Sequence, residues 1–141
     1  MATLGYNCHG KSRVRMVKVV RRPDGYEEVI QVSVQILLEG EVMGDVFVTG
    51  DNATVVATDT CKNTVYCLGK MHDFSAIEEF GVIICKHFLN QYPEMVNRIS
   101  VEIIKGEFDN EYDRLHYWYC SVGSVVVLAA VVVGSSTVPK Q

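Results

Sequence analysis

Apolar and polar positions alternate most strictly between Glu28 and Leu38. Ile30, Val32, Val34, Ile36 and Leu38 fall on one side, and Gln31, Ser33 and Gln35 on the other. A period of two marks a strand with one buried face and one wet face. Upstream, R-V-R-M-V-K-V-V at 13–20 reads as another strand. Between the two, Arg22-Pro23-Asp24-Gly25 supplies turn chemistry: proline fixes φ, aspartate bonds locally and glycine accepts a positive φ. The pair is predicted to form an antiparallel hairpin.

Residues 39–54 lose the pattern. With Gly40, Gly44 and Gly50-Asp51-Asn52 they read as irregular, with short extended pieces at 46–48 and 54–56. The period then lengthens. Cys61, Val65 and Leu68 recur at helical spacing and predict a helix over about 60–71, with Thr58 or Asp59 as its N-cap. A second helix is predicted from Ser75, where Ser75 and Glu78 fit a capping box. Its apolar stripe is Ile77, Phe80, Gly81, Ile84, Cys85 and Phe88, and Tyr92-Pro93 ends it. Ile99, Val101 and Ile103 alternate with Arg98, Ser100 and Glu102 as a third strand, and 105–116 reads as a polar loop. The order is β-β-α-α-β with room for a fourth strand. It predicts an α+β layer, an antiparallel sheet with two helices on one face.

Composition narrows the classes. The chain has 141 residues, enough for one domain, and 48% of them are apolar, enough for a real core. The formal net charge is −4 and no basic block appears, so no nucleic-acid partner is expected. Five cysteines, an odd number with no C-x-x-C pair, point to reduced thiols in an intracellular setting. The first residues lack the charged-then-apolar layout of a signal peptide. The stretch 117–138 carries no charge at all.

Few residues suggest chemistry by type and spacing. His9, His72, His87 and His116 do not pair at ligand spacing, and Cys8-His9 has no partner motif, so no metal site is expected. N-C-H-G-K-S at 7–12 has a Gly-Lys-Ser but not the earlier glycine of a phosphate loop. Nothing marks a nucleophile triad. Glu78 and Glu79 are explained by capping and solvation better than by substrate anchoring. Thr58-Asp59 taken with Lys11 is the exception. A desolvated lysine has a lowered pKa and can accept a proton from a threonine hydroxyl. N–H groups at a helix start favour an anion. Spacing alone still prefers capping.

The ordered blocks decide between them. G-K-S-R-V-R at 10–15, G-D-N at 50–52, V-V-A-T-D-T-x-K-N-T-V-Y at 55–66, I-E-E-F-G at 77–81 and K-H-F-L at 86–89 resemble urate oxidase, over about residues 5–104. The resemblance implies a single tunnelling-fold module of order β-β-α-α-β-β, whose sheet closes around a tunnel across subunits. It implies cofactor-free oxidation of urate by O2 and water to 5-hydroxyisourate and hydrogen peroxide. Lys11 and Thr58 would form a proton-relay dyad. Thr58 would also hold the oxygen position, and the Asp59 backbone N–H would bind the urate edge. Expected partners are urate, O2 and a second tunnelling-fold module, by self-association or from another chain. The family location is peroxisomal.

The chain also departs from the family. The second module, which supplies a stacking Phe, an Arg and Gln clamp, and a later Asn and His, has no counterpart after Ile104. The terminus V-P-K-Q is not a peroxisomal signal, which leaves the cytoplasm as the alternative location. The expected organisation is an arm at 1–12, a module at 13–116 and an atypical valine-rich tail at 117–141. The tail reads as a truncation, splice or read-through product in preference to a replacement fourth strand or a membrane helix over 117–138. Whether the chain is an enzyme stays open. The expectation is a urate oxidase module that is inactive or incomplete alone. The alternative is a non-catalytic module that joins full-length subunits.

Overall fold

The computed structural model describes residues 4–106, 114–121 and 124–126. Strands β1 (His9–Arg21), β2 (Glu27–Glu39), β3 (Arg98–Gly106), β4 (Arg114–Ser121) and β5 (Ser124–Val126) form an antiparallel sheet in chain order. Between β2 and β3 come a 3₁₀ turn (Glu41–Asp45) and three helices, α1 (Val46–Thr49), α2 (Thr58–Met71) and α3 (Ile77–Gln91).

The alternation in β2 does what its period requires. All five of its even apolar residues, Ile30 to Leu38, are buried, while Gln31 is exposed and Ser33 and Gln35 are half-buried. The same face of β3 contributes Ile99, Val101 and Ile103, opposite Leu38, Ile36 and Val34. Helix α3 lays Phe80, Ile84 and Phe88 on this face, and α2 adds Cys61, Val65 and Leu68. Phe74, from the α2–α3 connection, stacks on Phe80 at 4.4 Å. At the hairpin Gly25 takes φ 84°, and the Tyr26 N–H bonds to the Asp24 carboxylate, as the turn residues predict.

Several expected boundaries move. Residues 46–48 are helical and 54–56 are not a strand. Gly50 at φ 72° closes α1 with an N–H to the Val46 carbonyl, and a turn bond from the Val55 N–H to the Asn52 carbonyl bends the chain where an extended piece was expected. Neither helix has the expected side-chain cap. α2 begins at Thr58 after Ala57, and α3 begins at Ile77 after Ala76. Alanine has no side-chain oxygen, so neither N-cap position, Ala57 or Ala76, carries a capping bond. The polar loop is shorter than 105–116: Lys105 and Gly106 belong to β3 and Arg114 to His116 to β4, with 107–113 outside the described residues. β1 crosses the boundary expected at 12/13, and β4 crosses the one expected at 116/117. Beyond Val126 the tail lies outside the described residues, and no helix among those described is long and apolar enough to cross a membrane.

Close backbone approach fixes β1 on β2 at one point. A Cβ on Gly10 would collide with the Ile36 carbonyl oxygen. Gly10→Ala is expected to lower stability by roughly 1–3 kcal/mol, because a packed interior cannot absorb the extra carbon without moving backbone. Urea unfolding followed by far-ultraviolet circular dichroism measures it.

Candidate functional site

The start of α2 is an unfilled anion-type terminus. The first bond of the helix runs from the Cys61 N–H to the Ala57 carbonyl at 3.1 Å. The N–H groups of Thr58, Asp59 and Thr60 precede it and have no intrahelical acceptor. No side chain caps them. The positive end of a 14-residue helix therefore points outward at Thr58 and Asp59. Thr58 is half-buried and Asp59 exposed. The Asp59 carboxylate takes a hydrogen bond from Lys62 at 3.1 Å. That bond, then the Lys62 charge, and more weakly the Lys11 charge hold its pKa below the usual carboxylate value. The stability this gives is present at neutral pH and is lost as pH falls through the lowered value.

Lys11 reaches this place from the other side of the layer. It sits half-buried on β1 opposite Ile36, whose side chain is in the core. Antiparallel partners point to the same face, so Lys11 and His9 (opposite Leu38) lie on the helix-covered side. His9 Nε2 is 2.9 Å from the Val56 carbonyl oxygen, which ties β1 to the two residues that lead into α2. Lys11 and the Thr58-Asp59 helix start thus lie on the same side of the sheet, although 46 residues separate Lys11 from Thr58 in sequence.

The far end of α2 is held by a residue that pattern reading passed over. Lys18, seven positions beyond Lys11 on β1, donates to the Gly69 carbonyl at 2.9 Å and the His72 carbonyl at 2.6 Å. Its ammonium also lies 3.4 Å from Asp73 and 4.8 Å from the centre of the Phe74 ring. A cation on the terminal carbonyls satisfies groups the helix cannot satisfy itself. The available signal was parity: Lys18 falls between Met16 and Val20 on the side of β1 that faces the helices. His9 was weighed as a metal ligand, not as a tether. Among the described residues no cluster of three His, Cys, Asp or Glu could hold a metal ion.

Comparison with known proteins gives this geometry a setting. The uricase family model matches residues 7–119. The chain belongs to the uricase family. It is 42% identical over 115 residues to a uricase of Dictyostelium discoideum, covering 82% of this chain and 38% of that one. It is 40% identical over 99 residues to a uricase of Arabidopsis thaliana, covering 69% of this chain and 31% of that one. The crystal structure of the Arthrobacter globiformis uricase superimposes with a TM-score of 0.72 at 30% identity, over 88% of this chain and 46% of the other. The fold is therefore the tunnelling fold of uricases. The chain spans less than half the length of these relatives.

Lys18→Met should unfold at lower urea, with a loss of about 1–3 kcal/mol, because the part-buried Gly69 carbonyl and the His72 carbonyl lose their donor. Lys18→Arg should recover part of that loss in the same titration.

Proposed function

We propose that this chain is a urate-oxidising module of the uricase family that supplies one wall of the active site. The observation that carries the reading is the family match over residues 7–119, within which Lys11 on β1 and the uncapped start of α2 lie on one face of the sheet. The reaction would consume urate, O2 and water and release 5-hydroxyisourate and hydrogen peroxide. An electron-rich urate anion can reduce O2 without a cofactor, so the protein's work is placement and proton transfer. In this reading the Asp59 N–H, at the positive end of α2, donates to the edge of the anion. The Thr58 hydroxyl faces the oxygen side. In the closed, drier site Lys11 would first give up its ammonium proton; its neutral amine then takes the proton that Thr58 releases and returns it later in the cycle.

A single wall does not make a working site. Thr58 is half-buried and Asp59 is exposed, so water reaches both. Charge stabilisation of a reacting anion needs a drier, preorganised surround. The stacking and clamping groups of the family's second module would have to come from another chain. The chain alone is therefore expected to be inactive or nearly so. A second reading is an interaction module that joins full-length uricase subunits. It is favoured by the exposed Val17, Val19 and Val29 on the sheet face turned away from the helices.

The purified chain, mixed with urate in air, should leave the ultraviolet absorbance of urate unchanged. Rapid loss of that absorbance would overturn the expectation of inactivity. Co-expression with a full-length family member tests both readings together. A mixed assembly in which Lys11→Met on this chain lowers kcat by roughly 10²–10⁴ supports the relay. A mixed assembly indifferent to Lys11→Met supports the interaction module.

A further inference from the structure

The register of β1 against β2 decides which β1 side chains meet the helices, because directly opposed residues share a face. In the body of β1 these are the even positions: Val14 opposite Val34, Met16 opposite Val32 and Lys18 opposite Ile30. Near the start of the strand the parity is reversed. Lys11 stands opposite Ile36 and His9 opposite Leu38, and both partners are buried on the same face as Val34. The switch lies between Lys11 and Val14, where Ser12 and Arg13 together face the single residue Gln35. Two residues against one is a β-bulge, which bends the strand and redirects the side chains beyond it.

Arg13 has φ 56°, and it is the one non-glycine residue with positive φ among those described. An L side chain rarely adopts this left-handed conformation, and its occurrence is concentrated where geometry serves a site. Arg13 itself is exposed. With regular pairing carried on from Val14, Ser12 would lie opposite Ile36 and Lys11 opposite Leu37. Lys11 would then project from the other face of the sheet, away from α2.

We propose that the Ser12–Arg13 bulge, held open by the left-handed backbone of Arg13, is the device that turns Lys11 onto the α2 face, which makes Arg13 a positioning residue for the Lys11 ammonium. The catalytic meaning of this placement rests on the relay read above, but the placement can be tested without urate. Two contacts keep the redirected segment in register: the tight approach of Gly10 to the Ile36 carbonyl, and the His9 bond to Val56. The conformational demand thus falls on Arg13, while the benefit appears two residues away.

The experiment is an NMR titration of the Asp59 carboxyl in the full chain, with and without Lys11. Lys62 remains its main partner throughout. In the native background Lys11→Met should raise the Asp59 pKa slightly, because the lost charge acts across a wet surface. Arg13→Gly, which suits the left-handed backbone, should leave that response intact. Arg13→Val disfavours the bulge, and in its background Lys11→Met should no longer move Asp59. A response that survives Arg13→Val, or disappears with Arg13→Gly, overturns the proposal. If Arg13→Val does not fold, the exchange of Lys11→Ser with Ser12→Lys decides. Residue 12 belongs to the bulge and faces away, so Asp59 should titrate as it does in Lys11→Met. A native Asp59 value in that exchange variant overturns the proposal. The expected Asp59 responses, combined with an assembly indifferent to Lys11→Met in the urate assay, would retain the bulge assignment and remove the relay alone.

Discussion

Helix α2 is fastened along β1 at both ends, and the candidate site depends on that fastening. At the far end Lys18 donates to the Gly69 and His72 carbonyls from within the layer. At the near end His9 holds the Val56 carbonyl, immediately before the helix starts. Between them Gly69 settles against the Met16 sulfur, where a methyl group would collide. A helix packed only by its apolar stripe can slide or turn by a fraction of a residue at little cost. Polar contacts at its two ends remove that freedom, because each displaced carbonyl would lose a directional bond inside the layer. The position of Thr58 relative to Lys11 is therefore set partly by contacts that touch neither residue.

The same economy explains why capping is absent where it was expected. A side-chain cap at the start of α2 would occupy the N–H groups that an anion needs. With Ala57 at that position the terminus stays unfilled, and Lys11 adds positive charge nearby. Asp59 is kept ionised by Lys62, so a negative group sits beside the helix start without being neutralised by it. In the proposed site the outward-facing N–H groups come from the helix layer and the Lys11 ammonium from the sheet. Neither layer alone would provide a site.

Much of this was legible in the chain and some was not, for identifiable reasons. The burial of Ile30 to Leu38 and the stripes of α2 and α3 followed from period alone, because a single face of each element carries the apolar residues. The segment at 46–56 was misread because Val46, Phe47 and Val48 have strand-like side chains, whereas a glycine closure at Gly50 and a local turn decide their backbone. Caps were misplaced by one residue because Thr58 and Ser75 are good capping types next to alanines that actually occupy the position. The meeting of Lys11 with Thr58-Asp59 came from family resemblance. Spacing could not supply it, since it depends on a parity switch that one left-handed backbone introduces at Arg13.

Folding and catalysis make unequal demands on this module. Its described core lies between Val14 and Ile103 and is closed by two helices over one face of the sheet. That core contains neither Lys11 nor Thr58, and it forms among residues of this module in a chain less than half the length of its relatives. Chemistry on a urate anion asks for something different: a second surface that stacks on the ring, clamps it and excludes water. The residues proposed to face such a surface are only partly covered in this module: Thr58 is half-buried and Asp59 is exposed. Stability here is a property of one layer pair, whereas the proposed activity would need the junction between two such pairs. Changes in the core and changes at the helix start should therefore separate cleanly into those that alter unfolding and those that alter what the module can complete.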